Sequence, residues 1–102
     1  MSPPSDLTLE RAVDLLACMA HPVRLAVLAR LHRDGPANVC TLRSELAVEQ
    51  SALSHHLRHL REARLVISSR QGKHITYQLH DAHIGCIVDD TLRHAAELEA
   101  VS

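Results

Sequence analysis

The chain has 102 residues and a formal net charge of -1, and 46% of its residues are hydrophobic although Trp and Phe are absent. This composition predicts a soluble globular protein with an aliphatic core and excludes a disordered chain. No apolar run approaches the roughly 20 residues that a membrane-spanning helix needs, so we expect no membrane partner. Three cysteines at scattered spacing do not form a disulfide framework, which favours a cytoplasmic location.

The predicted layout is a short arm followed by one domain. Residues 1–6 hold two prolines and no periodicity, which predicts a flexible N-terminal arm, and residues 7–102 are expected to form the single domain. A chain of this length buries only about 60 to 68% of its unfolded surface, so we expect it to complete its core as a dimer.

Helical periodicity begins directly after the arm. Apolar residues at helical spacing predict a first helix over residues 7–18, with Asp6 or Thr8 as its N-cap. A second helix is predicted from Pro22, where a first-turn proline is tolerated, to the breaker cluster at residues 34–36.

The rest of the chain is predicted to hold two short helices joined by a tight turn, then a β-hairpin and a long final helix. These elements cover residues 39–46, about 50–63, 65–69, 74–79 and about 82–98. Residues 70–73 are the predicted hairpin turn, because two β-branched runs flank them. The predicted fold is therefore mainly α with a β-hairpin.

The charge is uneven along the chain. Residues 51–80 hold five basic residues against one acid, whereas residues 81–102 hold one basic residue against five acids. A basic middle indicates a surface for a polyanion, although an ordinary solvated basic face is the simpler alternative.

Two short helices with a tight turn, followed by a basic hairpin, match the winged helix-turn-helix plan and predict a double-stranded DNA partner. The side chains expected to reach base edges in a major groove are Ser51, Ser54, His55, His56 and Arg58. The hairpin residues expected to contact DNA, the basic ones through phosphates, are Arg70, Gln71, Lys73 and His74.

Several runs, in the same order, resemble the ArsR/SmtB family of small dimeric bacterial repressors, which release DNA when an inducer binds. They are AHPVRL at 20–25, SALSHHLRHLR at 51–61, LV at 65–66, RQGK at 70–73 and YQL at 77–79. The resemblance implies a homodimer formed by the first and last helices, bound to operator DNA with an imperfect inverted repeat. It does not name the inducer.

The last helix carries a candidate metal site, spaced D-x-H, ten residues, H-x-x-E, at Asp81, His83, His94 and Glu97. His83 and His94 lie about 16 Å apart along one helix, too far to share one ion, yet they return to nearly the same face. Two antiparallel copies of the helix would combine Asp81 and His83 of one protomer with His94 and Glu97 of the other.

The donor set suits Zn(II), with Co(II) or Ni(II) as alternatives. The resemblance agrees, because zinc sensors of the family carry the same spacing on their last helix. It also implies that a metal-bound His94 donates its other N–H to a backbone carbonyl at the end of the DNA-reading helix, here that of Arg64. The simpler alternative is that Asp81 only caps the helix while the other three side chains are solvated.

Thiol chemistry is the rival mode of sensing. The family's arsenic and lead sensors use a Cys-x-Cys pair at the start of the third helix, where this chain has Asn38 and a single Cys40. Cys18 and Cys86 are expected to be small buried hydrophobes. A thiol or persulfide sensor using two of these cysteines remains the alternative function.

The expected function is a repressor that binds operator DNA in the metal-free state and is released by Zn(II). We do not expect an enzyme, because a saturated four-ligand site leaves no open position for water. No nucleophile–base pair is found elsewhere in the sequence either.

Overall fold

The computed structural model describes residues 2–101, except for the side chain of Val101, and within them the chain forms five helices and three strands. In chain order these are α1 (Asp6–Met19), α2 (Pro22–Asp34), β1 (Ala37–Asn38), α3 (Val39–Leu46), α4 (Gln50–Glu62), β2 (Val66–Gln71), β3 (His74–Leu79) and α5 (Ala82–Val101). Met1 of the predicted arm and Ser102 of the predicted domain lie outside the described residues. No single described helix is long and apolar enough to cross a membrane, and α1 and α2 reach that length and composition only as a pair bent by 94°.

Helix α1 begins one residue earlier than predicted. Ser5 is its N-cap, with Oγ accepting a hydrogen bond from the Thr8 backbone N–H at 3.1 Å. Neither Asp6 nor Thr8 caps the helix, and Asp6 belongs to α1 rather than to the predicted arm. A short serine side chain in extended backbone geometry reaches the third amide of the helix, which explains the earlier start.

The sheet contains one strand more than the predicted hairpin. Strands β2 and β3 pair antiparallel up to the contact of Gln71 with His74, so the hairpin turn shrinks to two residues. Gly72 in that turn has φ +64°, a conformation that favours glycine. Strand β1 adds to the free edge of β3 and gives the order β1-β3-β2.

Every helix and strand contributes at least one side chain to a single, mainly aliphatic core. The side chains with almost no exposed surface are Val27, Leu28, Leu42, Leu53, Leu57, Leu60, Val66 and Val88. Three of these leucines follow each other at helical spacing on one face of α4. The opposite face of α4, which carries Ser, His and Arg, therefore points to solvent.

The apolar stripe predicted for the first helix is not covered within the single chain. Leu9, Val13 and Leu16 of α1 are 55%, 57% and 56% exposed. On α5, Ile87 and Leu98 are 45% and 60% exposed. Two helices with this pattern expose a large apolar surface, which in a globular protein indicates an interaction face.

Candidate DNA interface and metal-ligating pairs

The solvent face of α4 forms one wall of a shallow surface groove. The residues that line it are Glu49, Gln50, Ser51, Ser54, His55, Arg58, Arg61 and Tyr77. Four of the five predicted base-reading residues therefore lie together: Ser51, Ser54, His55 and Arg58. Their hydroxyl, imidazole and guanidinium groups offer both donors and acceptors along an exposed helix, as a major-groove reading element requires.

A carboxylate already occupies the N-terminus of α4. Glu49 is the N-cap, and its oxygens accept from the backbone N–H groups of Ser51 and Ala52, both at 3.2 Å, and from the Ser51 hydroxyl at 2.6 Å. The hydroxyl bond and the two backbone bonds lower the pKa of Glu49. This carboxylate occupies the second and third amides of the helix, so the N-terminus of α4 is not arranged to hold a phosphate, and we expect DNA contact through side chains.

The β-hairpin wing lies beside α4. Lys73 and His74 line a neighbouring groove that also takes in Ser54 and Tyr77, so the wing and the recognition helix share one continuous surface. Arg70 and Gln71 lie at the end of β2 next to the turn and line neither groove. The Arg70 Nε donates to the Gly72 carbonyl at 3.4 Å, which holds the guanidinium at the wing tip.

His56 is placed differently from the other predicted base-reading residues. It is half-buried, its Nδ1 accepts from Arg24 Nε of α2 at 3.1 Å, and its ring lies 4.2 Å from that of His21. Burial first, and then the nearby charges of His21 and Arg24, lower the pKa of His56. The structure thus places the His56 side chain against α2 and its cap and not in the groove. There it connects α4, the DNA-recognition helix, to α2.

Four residues that line the groove along α4 were not among the predicted DNA contacts: Glu49, Gln50, Arg61 and Tyr77. Gln50 is held in place by Arg43 of α3, whose Nη1 donates to its Oε1 at 2.9 Å. The position of Gln50 at the start of a helix rich in Ser, His and Arg was the available signal for it. Tyr77 is contributed by a strand, and no local pattern points to it.

Asp81 and His83 form the first of two ligand pairs, at the start of α5. The Asp81 Oδ1 accepts from the backbone N–H of His83 at 2.9 Å and of Ile84 at 3.4 Å, so it caps the helix. The same oxygen lies 3.3 Å from His83 Nδ1, and the His83 side chain is 92% exposed. Burial acts to raise the pKa of Asp81, but hydrogen bonds from His80, Ile84 and His83 outweigh it and lower that pKa. The capping role is therefore real, and it leaves the second carboxylate oxygen directed outward near His80, at 3.5 Å.

His94 and Glu97 form the second pair, one turn apart on the same helix. His94 Nδ1 lies 3.8 Å from Glu97 Oε2, and the two side chains are 73% and 75% exposed. Each pair offers one imidazole nitrogen and one carboxylate oxygen, donors that suit Zn(II), Co(II) and Ni(II). Within the described residues no three such side chains come together to hold an ion. Within the single chain each pair therefore brings together two donor side chains and no more.

Arg64 lies where α4 ends and the sheet begins. Its φ is +61°, a left-handed conformation that terminates the helix. A surface cleft between α1 and the start of α5 is lined by Arg64, His80 and Asp81 together. Arg64, whose backbone carbonyl is the predicted hydrogen-bond acceptor for His94, therefore shares a cleft with Asp81 of the first pair.

The three cysteines are free thiols, spread over three helices. Cys18 is half-buried, and its Sγ donates to the His59 carbonyl at 3.7 Å. Cys86 is exposed, so the expectation that it is a small buried hydrophobe is wrong. Its position on α5 faces away from the core because Ile84 and Val88 occupy the buried side.

Comparisons with known proteins agree with this geometry. A family model described as a helix-turn-helix domain matches residues 19–68. The chain is 41% identical over 83 residues to the HTH-type transcriptional regulator NmtR of Mycobacterium tuberculosis, covering 81% of this chain and 68% of that protein. It is 38% identical over 96 residues to the transcriptional repressor SmtB of the same species, covering 94% and 70%.

Among solved structures, HlyU from Vibrio cholerae superposes with a TM-score of 0.81 at 32% identity, covering 87% of this chain and 96% of that one. The predicted winged helix-turn-helix fold is therefore confirmed, as is the prediction that the protein is not an enzyme, since the relatives are transcriptional regulators. By its fold and its sequence, the chain belongs to the ArsR/SmtB family of winged-helix transcriptional repressors.

Proposed function

We propose that this protein is a metal-responsive repressor whose metal-free homodimer binds an imperfect inverted repeat in operator DNA and is released by Zn(II). The observation that carries the proposal is the pair of half-sites on α5. Asp81 lies beside His83 and His94 beside Glu97, each pair exposed and each incomplete. Half-sites at two ends of one helix become whole sites when a second copy lies antiparallel to it.

The dimer is supported by the uncovered apolar faces of α1 and α5. Val13 and Leu16 on α1 and Leu98 on α5 are more than half exposed in the single chain. Pairing these faces in two copies would bury apolar surface, and each Å² removed from water would stabilise the dimer by about 25 cal/mol. A two-fold dimer of this kind presents its two α4 helices to half-sites about one DNA turn apart.

Four residues would hold each metal ion: Asp81 and His83 of one copy, with His94 and Glu97 of the other. The ion would serve as a cross-bridge between the two α5 helices and not as a reactive centre. Asp81 keeps its cap through Oδ1, so its Oδ2 is the oxygen that faces an incoming ion. His83 and His94 must be neutral to bind, so protons compete with the metal ion for these nitrogens.

Backbone hydrogen bonds connect α5, which carries the proposed metal ligands, to α4, the DNA-recognition helix. The Leu65 N–H donates to the Leu60 carbonyl of α4 at 2.9 Å, and the His80 N–H donates to the Leu65 carbonyl at 3.0 Å. His80 directly precedes Asp81 in the chain. A change in where α5 begins therefore reaches the end of α4 through two hydrogen bonds.

The Arg64 carbonyl completes the proposed coupling. Arg64 lies two residues beyond the end of α4 and lines the cleft that contains Asp81, so a His94 ring entering that cleft from a second copy would lie near this backbone. An N–H of His94 donated to that carbonyl would tie the dimer helix to the end of α4. Metal and DNA would then disfavour each other by one reciprocal free energy, typically about 1–3 kcal/mol.

The test measures affinity for DNA from the protein's own promoter, by fluorescence anisotropy, with and without Zn(II). We expect His94→Ala to keep the metal-free affinity and to lose the release that Zn(II) drives at the low concentrations that release the natural chain. The matched control is His32→Ala, which removes an exposed histidine that belongs to neither ligand pair. Zinc should release this variant normally. Zinc-driven release that is unchanged in His94→Ala would refute the proposal. Titrations with Co(II) and Ni(II) in parallel identify the metal with the largest effect.

A further inference from the structure

Two histidines on the recognition helix direct their ring nitrogens at each other. His55 and His59 are four residues apart on α4, and their Nε2 atoms lie 3.1 Å from one another. The ring centroids are 4.5 Å apart, with an angle of 77° between the ring planes. Neither residue belongs to the ligand pairs of α5.

This separation suits chelation. A metal ion about 2.0–2.1 Å from each nitrogen would see the two at an angle of about 95–102°, between the octahedral and the tetrahedral value. Histidines at positions i and i+4 of a helix lie on one face, so the helix itself sets this spacing. A hydrogen bond between the two rings is the competing explanation of the 3.1 Å contact. Only the chelation explanation predicts that both rings bind a metal ion.

The pair lies at the edge of the DNA surface. His55 lines the same groove as Ser51, Ser54 and Arg58, the predicted base-reading side chains. His59 is half-buried beside it, with its backbone carbonyl accepting from the Cys18 thiol of α1. An ion held between the two rings would occupy space that DNA needs.

We propose that His55 and His59 form a second metal site, a two-histidine chelate for a divalent ion of the zinc, nickel or copper class, and that ion and DNA compete for α4. The remaining coordination positions are filled by water, because no third His, Cys, Asp or Glu joins them among the described residues. With two donors in place of four, this site fills at higher metal concentration than the site proposed on α5. The competition depends on the proposed DNA surface, whereas the metal binding does not.

The metal-binding experiment uses the full chain with His83→Ala and His94→Ala, which remove both imidazole ligands of the proposed α5 site, and with exposed thiols alkylated. Zinc chloride is titrated while the side-chain nitrogen resonances of the histidines are followed by NMR. We expect the Nε2 resonances of His55 and His59 to shift together and to saturate at one ion per protomer. Adding His59→Gln should abolish the shift of His55, whereas His74→Gln, which removes an exposed histidine of the wing, should leave it intact.

Either of two results would overturn the site: no shift at these rings, or similar weak shifts at every exposed histidine. Competition is measured in the same α5-deficient protein as DNA affinity with and without saturating zinc. We expect at least a tenfold loss of affinity with zinc, and less than a twofold loss when His59→Gln is present. An equal loss in both proteins would overturn the competition. Because both imidazole ligands of the proposed α5 site are absent throughout, failure here is distinct from failure of the proposed α5 mechanism.

Discussion

At Gly85, α5 packs closely against α2. This glycine is buried on α5, and a Cβ added there would lie 2.2 Å from Nδ1 and 2.8 Å from Cε1 of the His32 ring. Ordinary contacts between such atoms are about 3.5–4.0 Å, so the overlap exceeds about 1 Å. Gly85→Ala therefore tests whether the seating of α5 on α2 depends on a missing side chain.

Two opposing effects determine how much Gly85→Ala changes the free energy of unfolding. Replacing a glycine inside a helix by alanine gains about 0.5–1 kcal/mol, because glycine loses more backbone freedom on folding. Forcing extra volume into a packed seam costs about 1–3 kcal/mol. We expect Gly85→Ala to lower the free energy of unfolding by about 0.5–2 kcal/mol in the natural chain. With His32→Ala the overlap disappears, and the same substitution should then raise that free energy by about 0.5–1 kcal/mol.

The assay is urea unfolding followed by circular dichroism, for the natural chain, both single variants and the double variant. Protomer concentration is held constant, because dimerisation adds to the measured stability. The four values form a double-mutant cycle whose coupling isolates the contact between the ring and Gly85. If Gly85→Ala stabilises the chain equally with and without His32, the exposed ring swings into solvent at little cost and the close packing is not required.

Two further predictions concern the caps and the histidines. Asp81→Asn should melt like the natural chain but bind zinc more weakly, because an amide keeps the helix cap and lacks the charge. Asp81→Ala should lose both the stability that the cap provides and the zinc affinity. Equal melting temperatures for the two variants would contradict the capping role. His56 has a lowered pKa, through burial and the charges of His21, Arg24 and its α4 neighbours, so the folded state disfavours its protonation. The stability that this provides is complete above about pH 6.5 and is lost as the pH falls through the histidine range towards the folded-state pKa. Urea midpoints between pH 7.5 and 5.5 should therefore fall less in His56→Gln than in the natural chain, and parallel curves would refute this.

Local patterns predicted most of the fold. Helices α2 and α3 begin and end where proline, glycine and apolar spacing place them. Strand β1 was not predicted because it has only two residues, Ala37 and Asn38, which pair with Tyr77 and Thr76, 40 and 38 residues away along the chain. Such a strand is set by the edge of β3 and carries no periodicity of its own.

The candidate sites divide in the same way. The pairing of His94 with Glu97 follows from their i, i+3 spacing on α5 and was predictable. The pairing of Asp81 with His83 follows from the position of Asp81 as the cap directly before that helix. The position of His56 was not, because its partners are supplied by α2 and by the angle at which α4 crosses it. Periodicity places a residue on a face of a helix, but only packing determines which neighbour that face meets.

The charge of the proposed α5 site constrains how metal binding reaches the DNA surface. Each site would join the carboxylates of Asp81 and Glu97 to one divalent ion, so binding removes negative charge from a segment, residues 81–102, that holds five acids against one base. Less negative charge near DNA weakens the repulsion of its phosphates, so the Coulomb contribution alone would strengthen DNA binding. Salt screens this contribution beyond about 10 Å but does not reverse its sign. A metal-bound dimer that releases DNA must therefore act through geometry, and the hydrogen bonds from α4 through Leu65 to His80 form the connection that can transmit it.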